Sequence, residues 1–217
     1  MSVTQKVFLS TAYLPNIQYI SKFFLGKPVE IEVFDNYQKQ SYRNRATILS
    51  ASGPLDLVIP VKRPNGNNTQ TCDILIDYDT NWQHNHWHAI KSAYNHSPFF
   101  EIFKDELKPL YKKKFKYLID WNFLLLDEIF KMVGINIEYE RSKRYQQQSL
   151  KIIDYREQIH PKKRMKKPDP YFIPVHYFQV FKDKSGFVPN MSFIDLLFSE
   201  GSQATDICKK SIKKEQS

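Results

Sequence analysis

The chain has 217 residues, 41% hydrophobic and 15% aromatic, with 32 Lys and Arg against 23 Asp and Glu for a net charge of +9. A chain of that length and apolar content builds a core without disulfides or metals and is not a disordered segment. With only six glycines and no P-loop, dinucleotide fingerprint, nucleophile elbow or zinc-ribbon spacing, the familiar nucleotide and hydrolase signatures are excluded.

In chain order, KVFLSTAYL (6–14) reads as a first strand stopped by Pro15. NIQYISKFFLG (16–26) reads as a short helix capped by Asn16 and ended by Gly26. VEIEVF (29–34) is a second strand, 41–52 a third and LDLVIPV (55–61) a fourth, with SGP as the turn between the last two. TCDILID (71–77) is a fifth strand. From Asp79 the period changes to helical. Helices are predicted over DTNWQHNHWHAIKSAY, over 100–109 and over 115–133, the last stopped by Gly134. Residues 141–174 are polar and basic, with four prolines, and read as a long loop with room for one short strand or helix. Order returns at IPVHYFQVF (173–181), SFIDLLFSEG is a short helix with a Gly stop, and 209–217 reads as a fraying tail.

These elements predict an α+β (mixed α/β) fold, with a mixed sheet of five or six strands and a bundle-like helical C-terminal half. One domain spans 1–217: mainly strands over 1–78, helices over 79–135, a basic irregular segment over 138–172, and a strand plus a short helix over 173–201. The chain opens without a signal-peptide pattern and has no stretch near the length of a membrane span. Its two cysteines, Cys72 and Cys208, are far apart, which predicts a reducing, cytoplasmic compartment.

Chemistry-bearing residues stand out at a few places. In DNYQKQSYRNR (35–45), strand alternation would put Arg43, Arg45 and Thr47 on one face, the two guanidiniums roughly 7 Å apart. Such a pair holds a phosphate, pyrophosphate or carboxylate, or else pairs with surface acids. His84 and His88 share a helix face without the rest of a metal motif, and Asp77 and Asp79 form a D-x-D in which Asp79 also suits a helix cap. Cys72 alternates with isoleucines and reads as a buried thiol more than as a nucleophile. No metal or other cofactor is expected. The lysine runs KKKFK (112–116) and KKRMKK (162–167) suggest an anionic partner or a solvated surface.

Five stretches together carry a family likeness: STAYLPNIQYISKFF, DNYQKQSYRNR, GPLDLVIPVKRP, NWQHNHWHAIKSAYNHSPFF and GFVPNMSFIDLLFSEG. In content, order and spacing they resemble the WbqC-like protein family, in the form common in Bacteroidetes. The family motif is usually written around Q-P-x-Y-L-P. Here Tyr13, Leu14 and Pro15 match, while Thr11 and Ala12 replace the Gln and Pro, which puts any ligand contact of that glutamine in doubt. The family takes its name from a gene of O-antigen clusters. The resemblance implies an enzyme of surface-polysaccharide biosynthesis, with acyl or aminoacyl transfer to a nucleotide-linked amino sugar as a suggested reaction. The matched polar positions are Tyr13, Asp35, Tyr37, Arg43, Asn44, Arg45, Trp82, His86, Ser92, Tyr94, Ser97, Asn190 and Asp195.

Under that resemblance His86 is the expected general base, and Asp35, at the end of the second strand, is expected to orient that base or the sugar, the two forming the catalytic set. Arg43, Arg45, Asn44, Tyr13, Trp82 and Tyr94 are the expected substrate contacts, with the aromatic rings stacking on base or sugar. The partner is then a sugar nucleotide rather than a nucleic acid. The alternative is a non-catalytic protein docking on anionic lipid or nucleic acid through its basic C-terminal third, with residues 158–167 as the contact and peripheral membrane contact included.

Overall fold

The structure is a computed structural model that describes residues 5–147, 152–162 and 167–213. Four short strands form a wholly parallel sheet: β1 (Lys6–Ser10), β2 (Val29–Glu32), β7 (Tyr139–Arg141) and β8 (Ile152–Asp154), in the order β7-β2-β1-β8. Val7, Phe8 and Leu9 of the central strand are buried on both faces, as a covered parallel sheet requires. Two antiparallel pairs complete the strands, β3 (Arg45–Ser50) with β4 (Gly53–Val58) and β5 (Val61–Lys62) with β6 (Leu75–Ile76). The fold is mixed α+β, but the strands divide among three sheets instead of joining one of five or six.

Helix α1 (Ile17–Ser21) follows β1, and the Asn16 side chain caps it by accepting from the Tyr19 amide at 2.8 Å. The helical half comprises α2 (Trp82–Tyr94), α3 (Phe100–Leu107) and α4 (Leu118–Met132). Then come α5 (Lys182–Ser185), α6 (Phe193–Glu200) and α7 (Ala204–Lys210). Trp121, Leu125 and Ile129 of α4 are fully buried at helical spacing. Gly134 and Gly201 close α4 and α6 with positive φ.

Several boundaries differ from the sequence expectation, for identifiable reasons. Residues 41–44 are turns, so strand β3 starts at Arg45 and the alternation rule does not reach Arg43. Residues 71–73 form a 3-10 turn because the amides of Thr71 and Cys72 donate to the carbonyls of Asp35 and Val33, both at 2.8 Å, instead of joining a long ladder. The 141–174 stretch contributes β8, and 139–141 contributes β7. Residues 173–181 form no strand but are tied down through Tyr177 and Gln179, which both hydrogen-bond Asp195. Residues 209 and 210 of the predicted tail belong to helix α7, directly after the buried Cys208, and residues 214–217 lie outside the described residues. Of the basic run 162–167, residues 163–166 lie outside the described residues.

Candidate functional site

All four strands of the parallel sheet end on one edge. There the order of connection reverses: from β1 the chain moves to β2 and then β7 on one side, and β8 is added on the other. The crevice beyond the carboxyl ends at such a reversal is where open α/β sheets bind ligands. A cleft of about 580 Å³ occupies that edge. It is lined by Phe34, Asp35, Asn36 and Gln38 after β2, by Gln70, by Tyr145 after β7, by Asp154, Arg156, Glu157 and Gln158 at the end of β8, and by Lys167.

Its charged wall is held by two buried ion pairs. Arg43 Nη2 donates to Asp35 Oδ2, and Thr71 Oγ1 donates to Asp35 Oδ1 at 2.5 Å. Arg156 grips Asp154 with two bonds, Nε to Oδ1 at 2.9 Å and Nη2 to Oδ2 at 2.6 Å, and reaches Glu32 Oε2 at 3.2 Å. These acids raise the Arg156 pKa further, Asp154 most. Glu32 is fully buried at the end of β2. It also accepts from the amides of Val33 and Phe34 and from Ser142 Oγ, which fixes the segment that follows β7 against the end of β2.

Behind the cleft wall lies a chamber of about 10 Å³, room for one water molecule. Arg43, Tyr155, Thr11 and Ala12 are among its walls, and Arg156 lines both it and the cleft. Arg43 Nε and Tyr155 Oη, both deeply buried, have no hydrogen-bond partner among the described residues. Thr11, standing at the motif's glutamine position, accepts from Asn122 Nδ2 at 3.1 Å, and the same nitrogen holds the Arg43 carbonyl at 2.8 Å. Leu14 in the following turn has φ 38°, a strained conformation for leucine, locked by Ser192 Oγ on its carbonyl at 2.8 Å.

The sequence-predicted residues thus separate into groups. Asp35 and Arg43 come together at the cleft, but as a neutral pair. Arg45 does not join them: it points outward with Thr47, and both bond Asp56 across the hairpin, at 3.3 and 2.7 Å. The expected two-guanidinium clamp is therefore absent, because one arginine is consumed inside and the other faces away along β3. Asn44 donates to the Ile59 carbonyl at 2.8 Å and holds the chain between β4 and β5.

His86 and Tyr13 form a separate buried cluster. Tyr13 Oη lies 2.9 Å from His86 Nδ1 and 2.9 Å from Tyr111 Oη. Burial pushes the His86 pKa down to about 4, against a backbone hydrogen bond with Val58. His86 does not line the cleft, and so weak and enclosed an imidazole is a poor base at neutral pH. Trp82 packs edge-on against His86 and Trp121 in the core and offers no open ring face. Tyr94 is equally buried. Its hydroxyl accepts from the Leu49 amide at 3.2 Å and hydrogen-bonds Asp195, whose pKa burial raises.

Of the weaker candidates, Lys62 Nζ sits 3.0 Å from both Asp77 Oδ1 and Asp79 Oδ2, in the place a cation would take. His84 and His88 stand side by side, ring centroids 4.2 Å apart, on an exposed helix face. Among the described residues no group of three His, Cys, Asp or Glu is placed to hold a metal ion.

Sequence reasoning missed Asp154, Tyr155, Arg156, Glu157 and His160. His160 is buried, and its pKa is lowered by burial first and then by the charge of Arg43. The signal for this stretch was faint: two isoleucines followed by Asp and Arg two positions apart, the same-side spacing of an extended chain.

The WbqC-like protein family matches residues 11–207. The chain belongs to that family. An uncharacterized protein of Mycobacterium tuberculosis, Rv1507c, is 25% identical over 215 residues, covering 89% of this chain and 90% of that protein. No solved structure matches. The family name associates the chain with polysaccharide biosynthesis genes. Among the described residues, no helix of this family member is long and apolar enough to cross a membrane.

Proposed function

We propose that the protein is a transferase of surface-polysaccharide biosynthesis that takes a nucleotide-linked amino sugar into the carboxyl-edge cleft and passes an acyl or aminoacyl group to its amine. The carrying observation is the make-up of the cleft wall. Asn36, Gln38, Gln70 and Gln158 offer paired donors and acceptors suited to sugar hydroxyls, and Tyr145, half exposed, offers a ring. Glu157 supplies negative charge to an ammonium group, while both oxygens of Asp35 are already taken by Arg43 and Thr71.

The two arginines of the wall are already neutralised, so they shape the site and do not clamp a diphosphate. Lys167 is the exposed cation for that part of the substrate. For transfer from an activated acyl donor, the amine must lose its proton before or as it attacks the acyl carbon, and the bond from that carbon to the donor's activating group breaks, the group leaving with the electron pair. Glu157, exposed and held by Gln38 Nε2 at 2.9 Å, is the carboxylate best placed to receive it.

The test is a thermal-shift panel of nucleotide-activated amino sugars beside their hydroxyl counterparts. Amino sugars are expected to raise Tm more than the hydroxyl forms, with the gain lost in Glu157→Gln and Gln70→Ala. A panel that leaves Tm unchanged, or a gain that survives both variants, would overturn the assignment.

A further inference from the structure

A second hollow, of about 540 Å³, lies towards the opposite edge of the sheet. Gln5 precedes β1 and Lys27 precedes β2, so these two wall residues mark the amino ends of the strands. Ile153 of β8, Tyr171 and the end of the α7 region complete it. Its volume is within the roughly 300–1,000 Å³ of small-molecule sites.

The composition is opposite to that of the sugar-type cleft. Phe24, Leu25, Ile153 and Ile212 give an apolar floor, and Lys27, Lys209 and Lys213 are the charged residues of the wall, with no Asp or Glu among the lining residues. Lys209 Nζ stands 5.4 Å over the Phe24 ring, so cation and apolar surface are interleaved. Among the described residues its acidic partner, Asp206 at 3.8 Å, is exposed and in a long, screened pair.

We propose that this groove receives the acyl chain of an anionic membrane lipid, with the lipid phosphate on the Lys27, Lys209 and Lys213 rim, and so seats the protein on a membrane surface. A floor that wants hydrocarbon and a rim of one sign match a ligand apolar at one end and anionic at the other. A sugar would leave the floor unmatched, and a neutral lipid would leave three ammonium groups unused. A single buried chain gives only marginal, reversible attachment, and a cluster of cations supplies the second signal that makes docking stable. The inference stands apart from the proposed reaction, since no residue of this groove lines the carboxyl-edge cleft.

The experiment is co-sedimentation of the full chain with vesicles of phosphatidylcholine alone and of phosphatidylcholine mixed with phosphatidylglycerol. Binding is expected only with the anionic lipid. Lys27→Gln and Lys213→Gln should each weaken it about fivefold. Leu25→Gln with Ile212→Gln, which leaves the charge unchanged, should weaken it about tenfold or more. Control substitutions Lys112→Gln and Lys113→Gln, in the other exposed lysine run, should change it by less than the groove lysines do. Unaltered thermal melting establishes that each variant is folded. Three results would overturn the proposal: no binding by the unaltered chain, equal losses from the control lysines, or full binding by the Leu25/Ile212 variant. The last two would reduce the interaction to the general attraction of a +9 protein.

Discussion

The pair Arg43–Asp35 makes the sharpest claim about how the cleft wall is held, and a double-mutant cycle tests it. The Arg43 side chain is 2% exposed and that of Asp35 12%, so water screens neither charge appreciably. Asp35→Asn keeps the shape and a partner for Thr71 Oγ1, but leaves a guanidinium buried without its counter-charge. Removing one member of such a pair costs about 3–5 kcal/mol. Arg43→Gln strips Asp35 in the same way and frees the Asp35 oxygen it held, for a similar loss. Replacing both removes both orphan charges. The double variant should then lose less than the sum of the singles, with a coupling of roughly 1–3 kcal/mol. In urea unfolding followed by circular dichroism, each single variant should show a lower midpoint at an unchanged slope. A loss below about 1 kcal/mol for Asp35→Asn, or strict additivity in the cycle, would refute the buried-pair account and return Arg43 to the role of a ligand-binding cation.

The remaining predictions concern other parts of the chain. His86, with its pKa pushed down to about 4 by burial, is neutral in the fold, while the unfolded chain binds a proton near pH 6.5. Below that value the unfolded state holds more protons, so stability falls as pH drops from about 6.5 towards 4. The loss from this group between pH 7 and pH 5 is about 2 kcal/mol. It should disappear from the pH dependence of urea unfolding in His86→Gln, which still accepts from Tyr13, and an unchanged profile would count against a neutral buried imidazole. Gly201→Ala would place a Cβ 2.5 Å from the Phe99 ring at φ 58°, so a loss of roughly 2–4 kcal/mol is expected by the same unfolding assay. Gly134→Ala, with φ 65° and open space around it, should cost about 1 kcal/mol. The Cys72 thiol is raised by burial and then by Asp73, and that of Cys208 by burial, so iodoacetamide should label both slowly at pH 7. Fast labelling of Cys72 would instead favour a thiol-based transfer.

What the sequence made legible follows how local the determinants are. Asn16 as a cap, Gly134 and Gly201 as stops and the apolar stripe of α4 are all decided within a turn or two of chain, and they are found where expected. The same holds for Arg45 and Thr47, which share a face because β3 runs through both. Arg43 was misplaced by a local rule carried two residues too far, into turns that no Gly or Pro marks in the sequence and that follow Gln40 at φ 59°. Strand β8 was illegible for a different reason. Three residues of parallel strand have no turn partner nearby, and their register with β1 is set by contacts more than 140 positions away, such as Ser10 Oγ to the Arg156 carbonyl at 3.0 Å.

That difference bears on the site itself. The predicted catalytic set drew on residues 13–94, and the structure scatters that set over a cleft, a core cluster around His86 and a second core cluster around Asp195. The cleft is complete only with the 154–158 segment against the end of β2, because Asp154, Arg156 and Glu157 supply three of its five charged lining residues. Arg156 is the joint. It ties β8 to Glu32 of β2 across the intervening β1 and also binds the Gln146 carbonyl at 2.9 Å, so one guanidinium fixes three of the four strand ends that frame the ligand space. A wall held by buried ion pairs, one of them joining Arg156 to Glu32 across 124 positions, is ordered before ligand arrives, which suits the discrimination between amine and hydroxyl proposed above. It also explains why Arg43 and Arg156 are not free phosphate clamps: their hydrogen bonds are already committed to Asp35, Asp154 and Glu32.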